Sequence, residues 1–390
     1  LHVYCLCFIL VNYTYAQKIE YKFDQLTVKD GLSSDRIWDV YRDSKDFLWI
    51  CTDVGLDKFD SKNVEKYRFD KSDSGSISSN SVRTIYEDRN GNIWLGSDKG
   101  LNLYHPETES FTKYKNKSDD STSLNGDYIN SVIEDLPGNL WVVTDGNCLN
   151  KWSPSKESFK RHRFEFEDQN IFAPSVNITA LDSKGNIWIS SFRRGLIKFD
   201  PRTELITKYD DQSIDFGYPC YKGIYIDNKD KIWIGSDGNG LFSFDINTST
   251  FKKFETNSDG TGVNHNIILD LIDESDRYLL LAVDQGGINR FDKDAQRFEY
   301  IMYNDQQNMT GLNNNGIWCF HKDGERILWV GTSGGGINYY NPKALKFQLY
   351  QNETNIKNSL SYNFTGCFFE DHLGEVWIGT DGGGINILQP

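Results

Sequence analysis

Cysteine is scarce and poorly spaced for cross-linking. Of seven in 390 residues, Cys5 and Cys7 fall in the first 16. The other five, Cys51, Cys148, Cys220, Cys319 and Cys367, are odd in number, and none forms a Cys-x-x-Cys or metal-ligand spacing. Several lie in stretches that read as strands, so they are expected as small buried residues, not as a disulfide framework or a metal site. A surplus of basic charge is missing too: the formal net charge of -14 argues against nucleic acid or an anionic membrane as the main partner. After residue 17 no apolar run approaches the roughly 20 residues that span a bilayer as a helix. No segment keeps a helical period over three turns. The six histidines, His2, His105, His162, His265, His321 and His372, therefore lack the helical setting of a phospho-acceptor. No Ser-His-Asp order, metal-ligand cluster or singled-out carboxylate pair is present, so no catalytic residue, metal or cofactor is expected.

What the chain has instead is a repeat. Its cleanest copy is Asp88 to Gly100, D-R-N-G-N-I-W-L-G-S-D-K-G. The Trp position recurs as Trp49, Trp94, Trp141, Trp188, Trp233, Leu280, Trp329 and Trp377, at intervals of 45, 47, 47, 45, 47, 49 and 48 residues. A Gly follows six or seven residues later: Gly55, Gly100, Gly195, Gly240, Gly287, Gly336 and Gly384, with Cys148 in its place in the third copy. Each copy reads as four short strands rich in β-branched and aromatic residues. In the second copy they are 82–87, 93–97, 101–104 and 111–114, and Asn90-Gly91 is a hairpin signal. Four strands per unit of this length is the pattern of a β-propeller blade. An aromatic content of 14% is enough to fill the space between blades.

Residues 1 to 16 are apolar, and Thr14-Tyr15-Ala16 resembles a small-residue cleavage site, so this stretch reads as a front-truncated signal peptide. Ile19 to Val28 is expected as an outer strand without partners in its own copy. It could complete a blade begun late in the chain. Closure on residues 316–340 gives seven blades, a propeller over 17–342, and 343–390 as the first blade of a second propeller. Closure on residues 364–388 gives one eight-bladed ring.

The pattern N-x-V-x-x-I-x-E-D-x-x-G-N-I-W-I-G-T-x-x-G-G-L-N, matched by 80–102, 314–338 and 363–386, together with Gly31-Leu32-Ser33 and Ser359-Leu360-Ser361, resembles the two-component regulator propeller repeat. Such repeats occur in the periplasmic sensor halves of hybrid two-component systems of Bacteroidetes-type bacteria. The resemblance implies two seven-bladed propellers, a Tyr-rich immunoglobulin-like domain, one membrane span and a cytoplasmic histidine kinase with receiver and DNA-binding domains. It implies detection of oligosaccharides and control of polysaccharide-utilisation genes. The expected partners are then an oligosaccharide, a second propeller with downstream sensor domains, and a second copy in a full-length homodimer. The ligand could lie between two propellers. The expected location is the periplasm, and the segment itself is expected to carry no catalysis. The alternatives are a secreted propeller enzyme, a lyase or glycosidase, or an inactive gene fragment.

Two motifs invite a catalytic reading and resist it. Asp-x-x-Gly-x-(Ile/Leu)-Trp resembles the Asp box of sialidases, yet a catalytic residue should occur once per ring; Asp88, Asp135 and Asp371 read as turn formers. Gly286-Gly287 and Gly334-Gly335-Gly336 lack the helix and Lys of a phosphate loop. Function should sit where blades differ, at the turn between second and third strands and at the start of the inner strand. The turn tips are mostly acidic, and Arg193-Arg194 is the basic break. A sugar site needs aromatic platforms and planar polar groups, and an acidic glycan needs Arg as well. Arg193, Arg194, Trp38 and Trp318 are therefore the expected ligand or docking face, assisted by Arg83, Asp237 and Asp284. Lys222 shares the inner-strand offset, while Trp152, in a third strand, is expected in the core.

Overall fold

The computed structural model describes residues 21–145, 148–164, 176–191, 195–209, 218–257, 261–303, 311–344, 350–352 and 359–388. Contacts divide the chain into two units, Leu1–Tyr340 and Asn341–Pro390. The first is a seven-bladed β-propeller. Its innermost strands are Ile37–Arg42, Val82–Glu87, Ile129–Glu134, Val176–Leu181, Tyr218–Ile226, Ile268–Asp273 and Ile317–Lys322. Each touches the next, and the last touches the first, so the ring is closed. Every blade has four antiparallel strands built outward from these, and blades 5 and 6 run together into one eight-stranded sheet through a parallel bridge between Lys222 and Asp270.

The local fold rests on one hairpin device. In blade 4 the Asp182 carboxylate accepts the backbone N–H of Lys184 and of Asn186 through Oδ1, at 3.0 and 2.8 Å. Its Oδ2 accepts the indole Nε1–H of Trp188 at 2.8 Å. The same bond joins Asp43 to Trp49, Asp88 to Trp94, Asp135 to Trp141, Asp227 to Trp233 and Asp323 to Trp329. The acid thus shapes the turn and satisfies the one polar atom of an otherwise apolar ring. Trp49, Trp141, Trp188 and Trp233 are fully buried between sheets. Burial of a side chain this large supplies roughly 4–6 kcal/mol of transfer free energy.

Blade 6 breaks the device and repairs it. Leu280 stands at the Trp position, and Glu274 occupies the place of the Asp. Arg290, which pairs with Leu280 across the hairpin, donates from Nε to Glu274 at 2.8 Å and from Nη1 to Glu299 at 3.0 Å. Its guanidinium lies 3.4 Å from the centroid of the Tyr278 ring. A guanidinium N–H has replaced the indole N–H, and an ion pair has replaced a neutral donor on a carboxylate.

Closure is by register. Asp24, Gln25 and Leu26 pair antiparallel with Tyr339, Asn338 and Ile337, making a short outermost strand for blade 7. Of the strand expected over 19–28, residues 19 and 20 lie outside the described residues, and the paired part is Asp24–Leu26. Thr27 and Asp30 form a capping box around a 3-10 turn at Val28–Asp30, which ends the extended backbone. Gly336 shows the same closure from the other side. Its φ is +71°, and a Cβ there would strike the Leu26 carbonyl oxygen, as one at Gly240 or Gly287 would strike the outermost strand of its own blade. Before the short strand, Tyr21 and Phe23 pack on Tyr340, and the Tyr21 hydroxyl donates to Glu274.

The second unit holds one three-stranded sheet, Thr365–Glu370, Val376–Thr380 and Gly384–Leu388. It keeps the hairpin device, with Trp377 Nε1 donating to Asp371 at 3.1 Å. Several of its apolar positions are open, although Ile378 and Leu360 are buried. Ile385 is 69% exposed, whereas Leu56, Leu101, Leu149, Leu196, Leu241, Ile288 and Ile337, which follow the same turn in the seven blades, are each 0%.

Two stability measurements test these devices. Asp182→Ala should cost about 2–3 kcal/mol in urea unfolding, because it strands the Trp188 indole N–H in a buried site. Trp188→Phe removes that donor, so the double variant should lose clearly less than the two single losses added; strict additivity would show that the bond is not the unit of stability. Arg290→Met should cost about 3–5 kcal/mol by leaving Glu274 unpaired, and adding Glu274→Gln should restore at least ~1 kcal/mol of it. No recovery would refute the exchange of donors described for blade 6.

Candidate ligand-binding site

Each inner strand of the ring begins with an irregularity in its pairing to the second strand. The register slips between Ile37 and Asp39, Val82 and Thr84, Ile129 and Ser131, Val176 and Ile178, Ile268 and Asp270, and Ile317 and Cys319. In blade 5 the slip is longer, from Pro219 to Ile224. Such a bulge re-aims the skipped residue and leaves its neighbours in register. The neighbours Ile37, Val82, Ile129 and Ile317 are buried. The skipped residues Trp318, Trp38, Arg83 and Asn130, from blades 7, 1, 2 and 3, are half-buried.

Three of the expected face residues come together here. The Trp38 and Trp318 rings are 4.6 Å apart between centroids, tilted by 31°. The Arg83 guanidinium carbon is 4.5 Å from the Trp38 centroid and 5.2 Å from that of Tyr128. The result is a ladder, Trp318–Trp38–Arg83–Tyr128, across four consecutive blades. Tyr128 is the member that inspection of the sequence missed. It sits just before the inner strand of blade 3, two positions ahead of the matching offset at Asn130. Its place is set by the turn tip of its own blade: its backbone N–H donates to the Asp145 carboxylate at 3.2 Å, and Asp145 N–H donates back to its carbonyl at 3.0 Å. Burial pushes the Asp145 carboxyl above the usual aspartate range.

Beneath the ladder the blades are tied by buried acids. Asp39 accepts the N–H of Val40 at 2.7 Å and that of Ile85, in the next blade, at 3.0 Å. Asp270 does the same for Leu271 and Phe320, each at 2.7 Å. At the junction of blades 7 and 1 the corresponding residue is Cys319, buried against Gly331. At that position the junction lacks the carboxylate found at its two neighbours, and the Trp38–Trp318 pair spans it; farther along, Arg42 of blade 1 donates to the buried Asp323 carboxylate of blade 7 at 3.3 Å.

The remaining expected residues lie elsewhere. Asp237 and Asp284 are turn tips of blades 5 and 6, drawn together by Ile267: Asp237 forms a bridge with it, and Asp284 N–H donates to its carbonyl at 3.0 Å. They belong to a part of the ring that the ladder does not reach. Arg193 and Arg194 fall outside the described residues, as does the stretch read as a signal peptide. Trp152 packs on Trp94, Tyr114 and Phe159 in the core, as expected. An open groove of about 750 Å³ runs between the outermost strands of blades 5 and 6, lined by Lys253, Glu255, Gln296 and Arg297 among others, and shares no residue with the ladder. Among the described residues no group of three or more His, Cys, Asp or Glu could hold a metal ion.

The sequence profile of the two-component regulator propeller matches residues 31–54, 76–99, 311–334 and 359–382. These are two-component regulator propeller repeats. The matched windows run from the connector, through the bulge, to the turn tip, so the repeat is the scaffold on which Trp38, Arg83 and Trp318 stand. The bulge residue in the four matched windows is Trp38, Arg83, Trp318 and Gly366. The extracellular domain of a hybrid two-component system from B. thetaiotaomicron is similar, at 27% identity and a TM-score of 0.73 over 95% of this chain. The chain spans about half of that domain, 48%. A histidine kinase from Formosa agariphila is 40% identical over 63 residues, which are 16% of this chain and 5% of the kinase. A virginiamycin B lyase from Staphylococcus aureus, 14% identical with a TM-score of 0.62 over 83% of this chain and 99% of its own, shares the fold.

The ladder has a spectroscopic signature. Two indoles 4.6 Å apart should produce an exciton couplet in far-ultraviolet circular dichroism. Trp38→Phe and Trp318→Phe should each remove the same couplet, while Trp377→Phe, in the second unit, should leave it. Persistence of the couplet in either of the first two variants would refute the pairing.

Proposed function

We propose that this chain is the N-terminal ligand-sensing part of a hybrid two-component sensor that detects oligosaccharides outside the cytoplasm, in the periplasm, and regulates polysaccharide-utilisation genes. The observation that carries this reading is the ladder. Adjacent blades gather two indoles, a guanidinium and a phenol in one half-buried row, and these are residue types that recognise sugar rings and their polar substituents. The rigid hairpins beneath hold these groups without large motion, so little ordering cost falls on binding. Signalling requires the ligand to prefer one arrangement of the sensor over another, and tight binding alone would not suffice. The chain itself is assigned no catalytic step.

The second unit fits this reading as the opening blade of a second propeller. Its exposed Ile385, Phe368 and Phe369 occupy repeat positions, and a further blade of the same kind would cover them. The full sensor would then present two rings to its ligand, to the downstream domains and to a second copy in a homodimer.

Two experiments follow. A panel of oligosaccharides screened against residues 1–390 should give binders whose affinity falls at least ~10-fold in Trp38→Ala/Trp318→Ala, since loss of aromatic stacking costs on the order of 1–3 kcal/mol. Equal binding by the double variant would remove the ladder from the ligand site. Ile385→Lys should shift the stability of residues 1–390 by less than about 0.5 kcal/mol, and cost about 2–4 kcal/mol in a protein extended by further repeats. An equal, small effect in both would refute the second propeller.

A further inference from the structure

In most blades one buried side chain of the third strand receives the connector that enters the blade. In blades 2, 3, 6 and 7 it is Asn102, Asn150, Asn289 and Asn338, and in the second unit it is Asn386. The amide oxygen accepts a backbone N–H of the connector: Ser78 at 2.8 Å, Asn125 at 3.1 Å, Asn264 at 3.1 Å, Asn313 at 3.3 Å and Ser361 at 2.9 Å. Blades 4 and 5 carry Ile197 and Phe242 at this position. Blade 1 carries an acid, Asp57, whose Oδ2 accepts the Ser33 N–H at 2.6 Å.

The exchange of amide for acid is not neutral. Asn102 and Asn150 use the other half of the amide to donate to the carbonyls of Leu95 and Val142, at 3.2 and 3.0 Å. An ionised carboxylate has no proton to give. Instead, the Ser33 hydroxyl donates to Asp57 Oδ1. Asp57 is 0% exposed. It lies on the same strand face as Phe59, which packs against the cluster that holds Leu32, Ile50 and Ile337. The charges that act on it are Arg68 and Lys66, in and just after the outermost strand of its own blade. Acids of the adjoining turn and connector are engaged elsewhere: Asp30 accepts the Thr27 N–H and Asp35 the Val28 N–H, each at 2.9 Å. Burial pushes the Asp57 carboxyl above the usual aspartate range, although the Ser33 bonds and the two cations pull it down.

We propose that Asp57 is a proton-operated joint in blade 1: charged at neutral pH, it takes up a proton on acidification and becomes the neutral counterpart of the asparagine that other blades use to hold their connectors. A carboxyl raised in the fold binds its proton more tightly folded than unfolded. Its burial cost is therefore fully present at neutral pH and is relieved as pH falls through the folded value. The joint is placed where this matters. The connector that begins at Ser33 makes the closing contact of the ring, with Gly336 N–H donating to the Asp35 carbonyl at 2.8 Å. It then runs through Arg36 and Ile37 to Trp38. Acid tightens the hold on the segment that joins the seam to the ladder.

The test compares residues 1–390 with the variant Asp57→Asn, which recreates the Ser78–Asn102 arrangement of blade 2. Thermal unfolding is followed from about pH 8 down to about pH 5. The variant should melt at least ~2 °C above wild type at the upper end, and the gap should close as pH falls. The reciprocal change, Asn102→Asp, should lower the midpoint at the upper end and regain part of the loss in acid. Infrared difference titration of wild type against Asp57→Asn supplies a readout independent of stability: a carboxyl band missing from the variant should take up its proton above the roughly 3.9 of an ordinary aspartate. A gap that is constant over this range, a wild type that is the more stable at the upper end, or proton uptake at or below the ordinary value would overturn the inference. Failure of Asp57→Asn to fold would overturn it too, because the amide would then be no counterpart of the acid.

Discussion

The bond from a turn aspartate to an indole N–H is the interaction on which the rest of this protein depends. Propeller blades meet through apolar faces, and tryptophan fills that space well, but its one polar atom must find a partner when buried. Placing the acceptor six residues earlier, in the same hairpin, solves two problems with one carboxylate. The turn is shaped by the N–H groups it donates to Oδ1, and the ring is locked by Oδ2. Because both ends lie in one short segment, each blade can form this unit before the ring is closed.

Blade 6 shows that the requirement is a satisfied acceptor and not tryptophan as such. Leu280 has no polar atom, so the acid at position 274 must be answered from the neighbouring strand, by Arg290. The cost is a mostly buried ion pair, and the result is a blade connected by charge to its surroundings. Glu274 also takes the Tyr21 hydroxyl, and Lys322 of blade 7 reaches the Asp273 and Glu274 carbonyls at 3.1 Å. The irregular blade thus lies beside the seam and helps to hold it.

The ladder begins at the junction between the last blade and the first. Blades 6 and 7, and blades 1 and 2, are bridged by buried carboxylates accepting backbone N–H groups from the adjacent strand. Blades 7 and 1 meet over Cys319, Ile37 and the stacked Trp38 and Trp318. A ligand on those indoles would touch both sides of the junction where the chain closes its ring. Regular hairpins give such a site rigid walls, and the bulges turn one residue per blade out of the regular pairing.

By itself the sequence determined the repeat, its register, the strand-rich blade and the acid at each turn, because these follow from spacings of a few residues inside one hairpin. Trp38, Arg83 and Trp318 were also legible as a common offset. Only the tertiary structure decided which blade the N-terminal strand completes, since Asp24–Leu26 and Ile337–Tyr339 lie some three hundred residues apart and either end of the chain offered an acceptable edge. It also decided that Tyr128 joins the ladder and that Asp237 and Asp284 stand apart from it. Closing seven similar units into a ring brings the first and last blades into contact, and no local spacing records which side chains then meet.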